Sequence, residues 1–263
     1  TEKIRVTAQA LRDLLHGLED SPHWLRSPDG RIVFFTWSSE GLSDGIRYSA
    51  ELFLSADLEN QVKRLAEGYE TLRACLDLPI AFIYHIPTLD ELSLAVKASK
   101  IPMEIERQHD RYLRSILEYF PAVSGFDDFP ANERSTREFG KWAQACKSMG
   151  RSYGQAIMGD YLKVRKSDNA LPGPADFPGL QLKNMRTVFL AIPGTMQFRT
   201  LWQRAADFDA AFVNYITWND YPEGHHLAPE AHHHFALSVL GSFYEEKWRG
   251  RPVKHTNDSI MVF

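Results

Sequence analysis

The sequence has few of the features that would assign it at once to a class of protein. Its only two cysteines, Cys75 and Cys146, match no metal-binding or redox spacing. One disulfide between them is the alternative to two free, buried thiols, which we expect. No run of about 18 apolar residues occurs, and no membrane span is predicted. The net charge of −4 gives no basic footprint for nucleic acid. These absences leave a folded domain without a membrane or nucleic-acid partner as the expectation.

Short β-rich runs alternate with longer helical patterns along the 263 residues, which is typical of parallel βα units. The predicted strands cover residues 31–37 (RIVFFTW), 79–86 (PIAFIYHI), 122–126 (AVSGF), 155–160 (QAIMGD) and 212–218 (FVNYITW). The run 187–192 (TVFLAI) is either a further strand or a buried segment. The predicted helices cover residues 7–18, 58–76, 88–98, 105–119, 135–149, 196–207 and 229–249.

This alternation predicts an α/β fold of the (β/α)8 TIM-barrel type. A complete barrel of this type has eight strands in about 250 residues, whereas only five strands are evident here. We therefore expect a barrel that is incomplete at its N-terminus, with residues 1–263 forming a single barrel domain or its C-terminal portion. Five strands cannot close an ordinary parallel barrel, so the missing strands are expected from an upstream segment, from a second chain, or from parts of this sequence without a clear strand pattern.

Polar and aromatic residues follow or end each predicted strand. Because active sites of parallel barrels lie where strands end and loops begin, we expect these side chains to lie at a common end and to bind substrate. The predicted substrate-binding residues are Trp37, Tyr84, His85, Asp127, Asp128, Asp160, Tyr161, Trp218, Asn219 and Tyr221.

The most informative segment is the last predicted strand, which leads directly into the two carboxylates Asp220 and Glu223. Pro222 and Gly224 prevent this segment from continuing as a regular strand. Paired carboxylates beside aromatic rings are what glycoside hydrolysis requires, since one group donates a proton and the other acts as base or nucleophile. The alternative interpretation is an exposed acidic turn at the end of a strand.

Five histidines near the C-terminus suggest a second chemistry, a metal-dependent hydrolase. These are His225, His226, His232, His233 and His234. They do not form the HExxH pattern or a comparable ligand frame. We therefore predict no metal site and no cofactor, and expect these histidines at the surface or at the start of a helix.

Residues 216–224 (ITWNDYPEG), followed by 227–229 (LAP), resemble the signature of glycoside hydrolase family 71, the α-1,3-glucanases. Residues 201–204 (LWQR) with 209–213 (DAAFV) are similar to the helix that leads to that strand, and 29–33 (DGRIV) to a strand entry. The paired carboxylates are also similar to those of the family 99 endo-mannosidases, which have Glu-x-x-Glu in place of Asp-x-x-Glu.

The resemblance implies an inverting hydrolase of an α-linked glucan, with Glu223 as general acid and Asp220 as base. It also implies a polysaccharide or oligosaccharide substrate and a secreted or periplasmic location. Two alternatives stay open: a non-catalytic carbohydrate-binding protein on a degenerate barrel, and a family 99-like endo-glycosidase that acts on another glycan.

Overall fold

A computed structural model describes residues 2–37, 42, 52–89, 92, 103–125, 131–159, 161–166, 185–190, 195–217, 227–229 and 235–253. The chain forms two compact units. The first comprises Thr1–Asp127 with Glu138–Gly154, and the second comprises Asp128–Arg137 with Gln155–Phe263. In the described part of the chain, no helix is both long and apolar enough to cross a membrane.

Helices and strands alternate from α1 to β4, as the sequence predicts, whereas β4, β5 and β6 follow one another without a helix among the described residues between them. The helices are α1 (Glu2–Leu15), α2 (Leu58–Leu76), α3 (Met103–Tyr119), α4 (Glu133–Ser148), α5 (Met196–Asp207) and α6 (Ala236–Trp248). The strands are β1 (Ile32–Phe35), β2 (Ile80–His85), β3 (Ala122–Ser124), β4 (Ser152–Ile157), β5 (Tyr161–Lys166), β6 (Met185–Leu190) and β7 (Phe212–Tyr215).

Five of the described strands form one sheet, in the order β1-β2-β3-β4-β7. The first four pair in parallel, with Ile32 opposite Ile80 at the start of β1 and His85 opposite Ser124 at the end of β2. Consecutive parallel neighbours joined through helices are the unit from which TIM-type barrels are built. The predicted α/β fold, an incomplete barrel of five parallel strands, is confirmed.

The core of the first unit lies between the sheet and its helices. Every residue of β2 is buried, as expected for a parallel strand that is covered on both faces. Helix α2 buries apolar residues at intervals of three and four positions, from Leu58 to Leu76, which places them on one face. The helix ends at Asp77, whose φ of 55° is in the left-handed region that commonly terminates helices.

In the second unit, Ile216 continues β7 and donates a backbone hydrogen bond to Ile157 at the end of β4, at 2.9 Å. Helices α5 and α6 pack against each other through aromatic rings, with Trp202 stacked on Tyr244 at a centroid distance of 6.2 Å. Gly241 lies against Tyr215, and a Cβ atom at this glycine would be 2.9 Å from the tyrosine hydroxyl. The close approach of α6 to β7 therefore requires glycine.

Strands β5 and β6 form a separate two-stranded antiparallel sheet, in which Tyr161 is opposite Leu190 and Lys166 is opposite Met185. Residues 187–190 of the run 187–192 therefore lie in a strand, and residues 191 and 192 lie outside the described residues. Strand β4 begins three residues earlier than the predicted run 155–160. Both cysteines are free thiols, as expected, and Cys146 is buried. The expectation that both are buried is wrong for Cys75, which is partly accessible.

Candidate functional site

Three residues connect the carboxyl ends of β1 and β2. The backbone N–H of Thr36 donates to the carbonyl of Ile83 at 3.0 Å, and its hydroxyl donates to the same carbonyl at 3.1 Å. That hydroxyl also accepts a hydrogen bond from the backbone N–H of His85 at 3.1 Å. A threonine directly after β1 thus fixes the register of the two strands where their polar ends begin. Its neighbours Trp37 and His85 are both predicted substrate-binding residues.

The Trp37 and His85 rings contact each other, with centroids 4.6 Å apart and planes inclined by 36°. Trp37 is 57% exposed, whereas His85 is 8% exposed. An exposed indole beside an imidazole provides a flat apolar surface next to a hydrogen-bonding group. That combination suits the apolar face and the hydroxyl groups of a sugar ring.

Burial determines the charge of His85. Desolvation lowers its pKa to about 4, because the imidazolium cation loses its hydration in this environment. The side chain is therefore neutral near pH 7. A neutral imidazole has one donor and one acceptor nitrogen, so this residue is equipped for hydrogen bonding and not for ion pairing.

Tyr84 occupies a different environment from its neighbour in the sequence. Its side chain is fully buried, its hydroxyl lies 3.0 Å from that of Tyr112 on α3, and its ring packs against Phe120 at 4.7 Å. Successive residues of a strand face opposite sides of the sheet, so Tyr84 and His85 cannot both face the same surface. We therefore correct the assignment of Tyr84 from substrate binding to the packing of β2 against α3.

Two buried polar side chains hold the segment that follows β2, and sequence reasoning missed both. The Glu138 carboxylate accepts a hydrogen bond from the backbone N–H of Leu89 at 2.8 Å, and the His109 ring lies 3.0 Å from the carbonyl oxygen of Pro87. Burial lowers the pKa of His109, and its contact with this carbonyl opposes the shift. Glu138 lies next to Phe139 on the apolar face of α4, and a carboxylate at such a position was the signal in the sequence that could have indicated a buried polar contact.

At the end of β3, two aromatic rings approach the backbone closely. A Cβ atom at Gly125 would be 2.9 Å from both the Phe139 and the Trp142 rings, so only glycine fits without a shift. The predicted residues Asp127 and Asp128 follow this glycine and lie outside the described residues. Asp160 also lies outside them, and Tyr161 is the first residue of β5, where only the backbone is described.

The candidate catalytic segment follows β7. Trp218, Asn219, Asp220, Tyr221 and Glu223 lie outside the described residues. The residues at the two ends of this segment are described, and they are connected, because the backbone N–H of Leu227 donates to the carbonyl of Thr217 at 2.9 Å. The Leu227 carbonyl in turn accepts a hydrogen bond from the Ser238 hydroxyl on α6, also at 2.9 Å. The described residues on the two sides of 218–226 are therefore joined to each other directly after β7.

No group of three or more His, Cys, Asp or Glu side chains suitable for a metal ion occurs among the described residues. The histidines at 225, 226 and 232–234, on which the metal hypothesis rests, lie outside that part of the chain. The buried thiol of Cys146 has its pKa raised to about 12 by desolvation, so it is not a nucleophile at neutral pH.

The fold is similar to that of known glycoside hydrolases. Over 95% of this chain it matches the family 99 endo-α-mannosidase from Bacteroides thetaiotaomicron, with a TM-score of 0.50 and 12% sequence identity. A complex of the endo-α-mannosidase from the same organism with Bis-Tris propane matches with a TM-score of 0.51 and 12% identity, again over 95% of this chain. The chain spans 62% and 66% of the length of these two structures.

These comparisons establish a glycosidase-like fold. No protein-family model and no curated protein sequence matches the chain, so the resemblance to family 71 receives no independent support. The likeness to family 99, which the paired carboxylates suggested, is supported at the level of the fold.

Proposed function

We propose that this protein is a glycoside hydrolase that acts on an α-linked glycan, with Asp220 and Glu223 as its catalytic pair. The observation that carries the proposal is the position of the motif. Strand β7 ends at Tyr215, and the motif with both carboxylates follows Thr217 in the sequence. The described residues on its two sides, Thr217 and Leu227, are hydrogen-bonded to each other. Loops after parallel strands are where barrel enzymes carry their catalytic groups. The glycosidase-like fold supports this choice of chemistry.

Glu223 is proposed as the general acid that protonates the leaving oxygen, and Asp220 as the base that activates water or a neighbouring hydroxyl. The acid must stay protonated near neutral pH, so we expect Glu223 to lie in the drier environment and to have the higher pKa of the two. We expect inversion, which the family 71 resemblance implies. A distance of about 6.5–9.5 Å between the carboxyl groups would leave room for the water molecule of an inverting reaction.

Trp37 and His85 are proposed as substrate-binding residues. The exposed indole offers a surface on which a sugar ring can stack, and the neutral imidazole beside it offers a hydrogen bond to a hydroxyl group. The residues Asp127, Asp128, Asp160, Tyr161, Trp218, Asn219 and Tyr221 stay in the proposal on the strength of their sequence positions.

Two substrate classes follow from two different observations. The motif 216–224 favours an α-1,3-linked glucan, and the fold likeness to endo-α-mannosidases favours an α-linked mannoside. A screen of the protein against defined α-glucans and α-mannans, with detection of new reducing ends, distinguishes them. NMR of the first-formed anomer then reports inversion or retention. Binding of a glycan without release of any reducing end would favour the alternative, a non-catalytic carbohydrate-binding protein.

A further inference from the structure

Three arginines surround a cavity at the amino ends of the strands in the first unit. Arg31 directly precedes β1, Arg151 directly precedes β4, and Arg73 lies in the last turn of α2. All three line one cavity of about 240 Å³. This end of the sheet is opposite the end that carries Trp37 and His85. Because β2 has six residues and each residue advances about 3.3 Å, the two ends are on the order of 15 Å apart.

Aromatic side chains form the apolar wall of this cavity. The buried ring of Tyr69 packs edge-on against Phe82, at 5.0 Å, and against Phe120, at 5.3 Å. Tyr119 also lines the cavity and is 41% exposed, so it offers an accessible ring at the rim. The cavity thus combines guanidinium groups with an aromatic surface. It is smaller than the roughly 300–1,000 Å³ typical of pockets for drug-sized ligands, which limits an occupant to about one ring.

Arg151 is held in place and still has hydrogen-bond donors to offer. Its Nε donates to the carbonyl of Leu117 at 2.8 Å, and one Nη donates to the carbonyl of Glu118 at 3.0 Å. These carbonyls belong to the last turn of α3, so the contacts also stabilise the end of that helix. A guanidinium group has five N–H donors, and capping uses two of them. Within the described part of the chain, Arg151 forms no ion pair.

The other two arginines form ion pairs that a ligand can exchange. Arg73 pairs with Glu70, one turn earlier on α2, and the two side chains are 38% and 59% exposed. Arg31 pairs with Asp29 at 2.9 Å, and hydrogen bonds from Arg31 and Ser27 lower the pKa of that carboxyl to about 2. Exposed pairs of this kind contribute about 0–1 kcal/mol, so their replacement by a ligand costs little. The cavity lining itself has three positive charges and one negative charge, on Glu70.

We propose that this cavity is a binding site for a small ligand that carries one oxyanion group, a carboxylate or a phosphate, on a single ring. Guanidinium groups recognise both oxyanions through paired, charge-assisted hydrogen bonds. The aromatic wall, with Tyr119 at its rim, packs against the ring. The cavity lies at the opposite end of the strands from Trp37 and His85, and this proposal does not depend on the proposed function.

The test is calorimetric titration of the full chain with phenyl phosphate, benzoate and benzyl alcohol at about 0.15 M ionic strength, where long-range attraction is screened. We expect saturable binding of at least one of the two anions and none of the neutral alcohol. Phenyl phosphate alone would identify a phosphate ester as the ligand class, and benzoate alone a carboxylate. Absence of saturation by both anions up to about 10 mM would overturn the proposal, since that limit corresponds to negligible affinity.

Substitutions locate the binding. Arg73→Gln should raise the dissociation constant about tenfold or more, because one charge-assisted hydrogen bond to the ligand is lost. Arg64→Gln is the matched control, because Arg64 is an exposed arginine on the same helix that does not line the cavity. Arg151→Gln is expected to weaken binding as well. Arg73→Gln stays decisive if that variant is unstable, because Arg73 is exposed. Equal weakening by Arg64→Gln and Arg73→Gln would show nonspecific attraction and contradict the proposal.

Discussion

Strands β2 and β7 belong to the same sheet, and their environments differ sharply. All six residues of β2 are buried, whereas all four residues of β7 are half-buried. Among the described strands, β2 lies between β1 and β3, while β7 is last in the order and follows β4. A strand inside a parallel sheet is covered on both faces and on both edges, and a strand at the end of the sheet is not.

Stability and the proposed chemistry are therefore concentrated in different strands. Strand β2 contributes the packed core, and at its carboxyl end burial keeps His85 neutral. Strand β7 contributes less buried apolar surface and leads into the segment with both proposed catalytic carboxylates.

The largest effect is expected for loss of apolar volume in β2. Ile83→Ala should lower the free energy of unfolding by about 2–5 kcal/mol, because a buried cavity replaces a side chain that is 4% exposed. Val213→Ala in β7 should lower the free energy of unfolding by about 1 kcal/mol or less. The Val213 side chain is half-buried, so less apolar surface is removed from water there than at Ile83. Urea unfolding followed by circular dichroism measures both. Equal costs for the two variants would contradict the comparison.

The last residues of the two strands should give opposite pH dependences. His85 stays neutral in the folded protein down to about pH 4, whereas an unfolded histidine binds a proton below about pH 6.5. The unfolded state therefore binds more protons between these values. The stability that His85 contributes is complete above pH 6.5 and is lost as the pH falls to 4, by at most about 3 kcal/mol. For Tyr215, burial raises the pKa, so its contribution is lost as the pH rises above about 10.

Unfolding free energies of the wild type and His85→Gln, measured across pH 4–8, test the expected loss of stability at acidic pH. Below pH 6.5, the unfolding free energy of His85→Gln should fall less steeply with decreasing pH than that of the wild type. The part of the pH dependence that His109 contributes should remain, because burial lowers the pKa of that residue too. Tyr215→Phe should reduce only the loss of unfolding free energy above about pH 10. An unchanged acidic slope in His85→Gln would contradict the neutral, buried assignment of this histidine.

A smaller effect is expected from glycines near the ends of two strands. Gly125→Ala should cost about 1–3 kcal/mol, because the new methyl group would overlap the Phe139 and Trp142 rings at 2.9 Å. Gly159→Ala, after β4, should change stability by less than about 0.5 kcal/mol, since its nearest neighbour, Leu237, would be at an ordinary contact distance of 3.7 Å. Thermal unfolding of both variants provides the comparison. A cost for Gly159→Ala as large as that for Gly125→Ala would show that close packing is not specific to β3.

Much of the fold could be predicted from the sequence, because the spacing of apolar residues indicates where helices and strands lie. Helices α2 and α5 begin and end at the predicted residues, and β2 lies within its predicted run. Strand β4 was placed three residues late, since Ser152 and Gly154 interrupt its apolar pattern. The pairing of β5 with β6 was missed, because the Pro-Gly and Gly-Pro pairs within residues 163–186 favour one long irregular loop.

Less of the candidate site could be predicted. Trp37 and His85 were expected to lie together, and they do, because both follow or end parallel neighbouring strands. Tyr84 was assigned to the site although strand alternation places it on the opposite side from His85. Glu138 was missed because its hydrogen-bond partner, Leu89, is 49 residues away in the sequence. The residues around Glu138 on its helix do not indicate that contact.

The central claim is that the segment after β7 carries the catalytic pair of a glycoside hydrolase. Initial rates of reducing-end release from the best α-linked glycan test it most directly, for the wild type, Asp220→Asn, Glu223→Gln and the control Asp207→Asn. Asp207 is an exposed carboxylate on α5 outside the motif, so its variant should retain the wild-type rate. Each amide variant within the motif should lose at least about a hundredfold in turnover while remaining folded, because acid–base catalysis is removed. Near-normal rates in both Asp220→Asn and Glu223→Gln would contradict the account.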